Sequence, residues 1–117
     1  MSDLQTNVEQ LNKMILEGKT REAFEKFYDD DVVMQDNDYP ARIGKDENRT
    51  YEEAFVNGIT EFRGAKVLHT IISENIAAIE WWMDFTHKDF GVKNYRQVAV
   101  QRWKNGKIVE EKFYYNN

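Results

Sequence analysis

The apolar residues of this chain follow a helical period at first and a period of two later, and the switch divides it into a helical half and an extended half. Leu4, Val8, Leu11 and Ile15 recur at three- and four-residue steps, which predicts an amphipathic helix over 3–17, capped by Ser2 or Asp3 and ended by Gly18. A second helix starts at Thr20 as its cap, with Ala23, Phe24, Phe27 and Tyr28 as its buried stripe. The run Asp29, Asp30, Asp31 reads as a solvated loop, and 32–36 as a short strand. Turn formers fill 37–48. A third helix is then predicted over 49–62, capped by Asn48 or Thr50, with Tyr51, Ala54, Phe55, Ile59 and Phe62 inward and Gly58 marking a point of close packing.

From Ala65 onward the pattern is that of strands. Two runs, 65–73 and 75–87, meet at a tight turn around Glu74 and Asn75, and 93–115 forms a long hairpin about Asn105 and Gly106. Asn-Gly suits a two-residue turn that needs positive φ at both central positions. With Lys104 and Lys107 flanking that turn, Trp103 lies opposite Ile108, Val100 opposite Glu111 and Val98 opposite Phe113. One hairpin face then carries Arg96, Val98, Val100, Arg102, Val109, Glu111, Phe113 and Tyr115, and the other Tyr95, Gln97, Ala99, Gln101, Trp103, Ile108, Glu110, Lys112 and Tyr114. The first is the more apolar and is expected to face the core, joined by Ile79, Trp81, Met83 and Phe85 if His87 pairs with Val92. The layout is α+β: three helices from the N-terminal half packed on a curved antiparallel sheet, the whole enclosing a conical pocket.

Composition narrows the classes. At 117 residues and 41% hydrophobic, residues 1–117 make one domain with a core of its own. Cysteine is absent, so disulfides, thiolate metal sites and a cysteine nucleophile are excluded. A net charge of −5 and no Lys/Arg cluster argue against nucleic acid, and no apolar run reaches membrane-spanning length, so a cytoplasmic protein is expected.

Glu111 is the one carboxylate in the expected apolar face, and Asp36 ends the first strand; these are the candidate acid/base residues. For Asp36 the competing role is to accept hydrogen bonds from the 37–39 turn, and for Glu111 it is an ion pair with Arg102 or Arg96. An apolar pocket would raise the pKa of Glu111 and an arginine would lower it. Trp81, Val98, Val100, Arg102, Phe113 and Tyr115 are expected to contact the ligand. His69, facing Glu80, reads as a surface pair, and with His87 near a loop the two histidines lack metal-ligand spacing; neither metal nor cofactor is expected.

Three segments carry a resemblance to known proteins: Phe27-Tyr28-Asp29-Asp30-Asp31-Val32, Ile43-Gly44-Lys45-Asp46, and Trp103-Lys104-Asn105-Gly106-Lys107-Ile108-Val109-Glu110-Glu111. With them the chain resembles the nuclear transport factor 2-like superfamily, and within it the SnoaL-like and ketosteroid isomerase-like small proteins. The resemblance implies the cystatin-like cone and places Asp36 where ketosteroid isomerases keep their general-base aspartate. Their two oxyanion-hole donors would fall near Leu11 and near Val98 or Ala99, and the catalytic aspartate of SnoaL-like cyclases at Phe113. None of these residues can serve, so the resemblance does not extend to steroid isomerisation or that cyclisation. The expected function is binding of a small apolar or aromatic molecule. Either metal-independent acid/base chemistry of the isomerase, cyclase, dehydratase or hydrolase class follows, or the chain is a non-catalytic dimeric binding or scaffold module. Aromatic and glutamine residues on the outer face, Trp103 among them, point to a homodimer.

Overall fold

The computed structural model describes residues 3–116. Its elements are α1 (Asp3–Leu16), α2 (Thr20–Phe27), β1 (Tyr28–Asp36), β2 (Arg42–Ile43), α3 (Lys45–Asn57), β3 (Ile59–Ser73), β4 (Ile76–His87), β5 (Gly91–Lys104) and β6 (Lys107–Tyr115). The strands form one open sheet in the order β2-β1-β6-β5-β4-β3. All neighbours are antiparallel except β1 and β6, which run parallel, so the sheet is mixed rather than wholly antiparallel. Ser2, one of the two expected caps of the first helix, lies outside the described residues.

Local chemistry explains most boundaries. Gly18, at φ 80°, takes the left-handed position after α1, and its N–H and that of Lys19 donate to the carbonyls of Ile15 (3.1 Å) and Met14 (2.8 Å). Those bonds satisfy helix-end carbonyls that would otherwise be orphaned. Thr20 is the first residue of α2 rather than its cap; Lys19 holds that position without a side-chain bond. The Asp29–Asp31 run lies in β1 instead of a loop, its side chains half-buried to exposed at the sheet margin.

The third helix begins four residues earlier than predicted and ends before Ile59, because Ile59 and Phe62 start the long strand β3. Its cap is Gly44, at φ 95°, not Asn48 or Thr50. Asn48 instead turns inward, fully buried. Its Nδ2 donates to the carbonyls of Gly44 (2.9 Å) and Arg42 (3.1 Å), and its Oδ1 accepts from Arg42 Nε (3.1 Å). Ala54 is exposed, so the inward stripe is Asn48, Glu52, Phe55 and Val56, one position away from the predicted one.

The C-terminal hairpin turns where expected, with Asn105 at φ 52° and Gly106 at φ 77°. Trp103 faces Ile108, as the turn dictates, but the next pair is Arg102 with Glu110: Val109 is an extra residue, a β-bulge. Beyond it Gln101 faces Glu111, Ala99 faces Phe113 and Gln97 faces Tyr115. The bulge corrects the facing assignment. On β5 the inner side carries Tyr95, Gln97, Ala99, Gln101 and Trp103, and it meets Glu111, Phe113 and Tyr115 of β6. Arg96, Val98, Val100 and Arg102 point to the other side. The β4–β5 loop adds to the shift, since His87 pairs with Gly91 rather than Val92, which aligns Ile79, Trp81 and Met83 with Ala99, Gln97 and Tyr95. A bulge at Leu68 places Val67 opposite Trp81, while His69 and Glu80 pair as predicted with Nδ1 and Oε1 2.7 Å apart.

The core fills the narrow end of the cone, where Val8, Leu11, Val32, Ala77, Ile79 and Ile108 are 0% exposed. Trp103, expected on the outer face, closes this end against Phe27, at a ring-centroid separation of 5.8 Å.

Candidate functional site

At the other end, α3 and the sheet stand apart around a cavity of about 890 Å³. Its apolar walls come from α1 and α2 (Leu11, Ile15, Phe24), α3 (Phe55) and the inner sheet face (Trp81, Met83, Phe85, Phe113). Four carboxylate residues line it: Asp36, Glu52 and Glu111, and the exposed Glu17, which pairs with Lys19 at 3.8 Å. Of the residues singled out from the sequence, Asp36, Glu111, Trp81, Phe113 and Tyr115 line one cavity. Val98, Val100 and Arg102 do not, because the bulge turns them to the outer side.

Glu111 is 2% exposed and anchored from both oxygens. The Tyr28 hydroxyl donates to one, and Gln101 Nε2 donates to the other at 2.8 Å. Gln101 is itself oriented by Trp103, whose Nε1 donates to Gln101 Oε1 at 3.0 Å. Neither expected arginine is near: Arg102 lies on the opposite face, 3.8 Å from Glu110. Without a cationic partner, burial dominates and pushes the Glu111 carboxyl up to about 7, against the lowering effect of the Tyr28 and Gln101 hydrogen bonds. Burial and the charge of Glu111 also raise the Tyr28 phenol, so it remains a donor.

Asp36 is held differently. Arg42 Nη2 donates to its Oδ1 at 3.1 Å and the Tyr115 hydroxyl to its Oδ2 at 2.7 Å. Arg42 in turn lies over the Tyr51 ring, 3.7 Å from its centroid. Tyr115 is placed by Asn37, at φ 47°, whose Nδ2 donates to Tyr115 O (2.9 Å) while its Oδ1 accepts from Tyr115 N (3.0 Å). The 37–39 turn closes through the Asp36 backbone carbonyl, which accepts from Tyr39 N at 3.0 Å, so the side chain is left for Arg42 and Tyr115.

Glu52 is the site residue that sequence reasoning missed. It sits on α3 one turn after Asn48 and one turn before Phe55 and Val56, a helical spacing that could have revealed it had the inward stripe been set by Asn48 rather than Tyr51. Among the described residues it accepts no hydrogen bond. Burial first, then the charge of Glu111, pushes its carboxyl up to about 7. Both carboxyls are raised by burial, and Glu52 also by the charge of Glu111, so the two resist ionising together.

The open rim is built around His87. Its ring stacks against both Phe55 (5.1 Å between centroids) and Phe90 (4.5 Å), its Nδ1 accepts from Asp89 N at 3.1 Å, and its Nε2 donates to Phe55 O at 3.1 Å. Among the described residues no set of three His, Cys, Asp or Glu side chains converges to hold a metal ion. No helix among them is long and apolar enough to cross a membrane.

The family model for the SnoaL-like domain matches residues 8–111. The chain belongs to this family. No curated protein matches it. Among solved structures, a protein from Mesorhizobium loti provisionally named a SnoaL-like polyketide cyclase [carbohydrate phosphatase] superposes at a TM-score of 0.85 and 24% identity, covering 98% of this chain and all of the other. A nuclear transport factor 2-like protein of unknown function from Burkholderia pseudomallei aligns at 0.82 and 18% identity, over 99% of this chain and 92% of its own. A protein from Catenulispora acidiphila with a ketosteroid isomerase-like fold, solved with trimethylamine, aligns at 0.72 and 12% identity, over 88% and 80%. At these identities the likeness establishes the α+β cone of the SnoaL-like family, a fold that hosts unrelated activities.

Proposed function

We propose that this SnoaL-like domain binds a small molecule with an apolar or aromatic body in the cavity and transfers a proton on it, with Glu111 and Glu52 as the acid/base pair. Asp36, the other carboxylate expected to act, holds Tyr115 and Arg42 in place at the site's edge. The supporting observation is the meeting of Glu111 and Glu52 in one apolar-walled cavity, where burial, and for Glu52 also the charge of Glu111, pushes both up to about 7, the range in which a carboxyl both takes and gives a proton at neutral pH. The chemistry fits an isomerase, cyclase, dehydratase or hydrolase. Deuterium incorporation into a panel of aryl and cyclic ketones in D2O, some bearing a side-chain amine, followed by NMR, tests it. Exchange above the buffer rate is expected for the members that fit, and is lost in Glu111→Gln. Binding without exchange by any member would make the domain a binding module instead.

We also infer a homodimer through the outer face of the sheet, with a different residue set from the one the sequence suggested. Trp103, Gln97, Gln101 and Tyr95 face inward, whereas Trp82, Val98, Val100 and Tyr114 lie outward in adjacent strands, Tyr114 47% exposed. Apolar and aromatic side chains flanked by Arg96, Glu80 and Lys112 suit a two-fold contact in which the patch meets itself. Sedimentation equilibrium should give twice 13.9 kDa for the native chain and 13.9 kDa for Val98→Arg. A native chain that sediments at 13.9 kDa throughout the micromolar range would refute the dimer.

A further inference from the structure

The carboxylates of the cavity differ in what they still have to offer a ligand. Both oxygens of Asp36 are taken, by Arg42 and Tyr115, and both oxygens of Glu111 are taken, by Tyr28 and Gln101. Glu52 accepts nothing among the described residues and faces the same space. Of the charged groups that act on it, Glu111 from β6 and Asp36 from β1 are acidic, and only Arg42 from β2 is basic. That guanidinium is already committed to Asp36, to Asn48 and to the ring of Tyr51. Among the described residues the corner around Glu52 therefore has one basic group, already committed, and one carboxylate that accepts no hydrogen bond; Lys93 of β5 and Glu17 also line the cavity but are not among the groups that act on Glu52.

The walls around it are aromatic. Phe24, Tyr28, Tyr51, Phe55, Trp81 and Tyr95 all line the cavity, and π faces attract cations strongly once water is excluded. The chain uses this chemistry on itself, placing Arg42 over Tyr51, the neighbour of Glu52 in α3. A carboxylate next to aromatic rings, inside a largely apolar cavity, matches a group that is charged yet carried on an apolar body.

We propose that the cavity's ligand is an organic cation, an ammonium or amidinium borne on an apolar or aromatic body, with its charge seated at Glu52. This rests on the reading of the cavity as a small-molecule site and names the ligand class that reading leaves open. A metal ion is a poorer match, since the carboxylates do not converge as a ligand set. A bound cation favours the ionised carboxyls, so its uptake releases protons and its affinity rises with pH through about 7, the range of Glu52 and Glu111. Tyr28 and Tyr51, which also feel the charge of Glu52, stay protonated donors throughout.

Calorimetric titration of the full chain with three probes of one shape, phenethylammonium, phenethyl alcohol and phenylacetate, tests the proposal. The cation should bind about tenfold more tightly than the alcohol, a difference of about 1.4 kcal/mol, and the anion most weakly. Repeating the cation titration in buffers of different ionisation enthalpy should reveal proton release near pH 7. Glu52→Gln removes no hydrogen bond within the fold, and it should abolish both the preference and the proton release while alcohol binding persists. Glu52→Asp should keep the preference. The ranking in the native chain stands as a test even if a variant folds poorly. Alcohol or phenylacetate binding as tightly as the ammonium would overturn the proposal, as would a preference that survives Glu52→Gln. In either case ketone exchange remains the separate test of the acid/base reading.

Discussion

Helices α1 and α3 both cover the inner face of the sheet, yet they are fastened to it in different ways. Helix α1 docks through its middle: Val8 and Leu11 are fully buried and continue into Ala77, Ile79 and Ile108. Helix α3 docks at its two ends. Asn48 ties its first turns to Val32, Arg42 and Gly44, and Phe55 packs its last turns on Phe85 and His87, while Glu52, between them, stands over the cavity. A helix pinned at both ends leaves room under its centre, and the residues there are free to be chosen for chemistry rather than packing. One end of the cone therefore carries stability and the other carries the site.

Substitutions should separate the two ends, and the largest effect is expected at the packed one. Ile108→Ala removes fully buried methyl groups beneath α1 and should cost about 2–5 kcal/mol in chemical denaturation, with probe binding in the cavity of the surviving folded protein unchanged. An equal loss of binding would show that the two ends are not independent.

A smaller effect is expected at the rim. A Cβ on residue 58 would meet His87 Nε2 at 2.3 Å, so Gly58→Ala must displace the ring that stacks on Phe55 and Phe90. The cost should be about 1–3 kcal/mol by thermal melting, accompanied by a shift of the His87 ring signals in NMR. Unchanged His87 signals would mean that α3 is not anchored there.

The smallest effect, and the one of opposite sign, concerns Glu52. Its carboxyl holds the proton up to about 7 in the fold and to about 4.5 when unfolded, and Glu111 behaves likewise. Below about 4.5 both states are protonated; as pH rises toward about 7 only the unfolded chain ionises, so these groups progressively destabilise the fold, and the cost is complete above about 7. Glu52→Gln should therefore gain about 1–2 kcal/mol at pH 8 and nothing at pH 4. A variant equally stable at both values would place Glu52 in water rather than in the cavity.

The helical and period-two patterns, together with Gly18 and Asn105-Gly106, determined by themselves most of the helix and strand segments and two of the turns, because those preferences are local; 29–31 and 59–62 became strand, and β2 arose in the expected loop, through pairing with distant segments. They also singled out Glu111, Asp36, Trp81, Phe113 and Tyr115, all of which line the cavity. Tertiary structure decided which way β5 faces. A two-residue turn sets register only as far as the first bulge, and the extra residue Val109 reverses the parity of everything beyond it. Apolarity then pointed the wrong way, because Gln97 and Gln101 of β5 line the cavity and the outer side carries Val98 and Val100. Tertiary structure also chose the partners of Glu111. Tyr28 is 83 residues away in the chain and meets it only because β1 pairs in parallel with β6, a contact with no local signal. The same holds for Glu52, whose proton depends on Glu111 across the cavity and on burial beneath walls drawn from seven other elements.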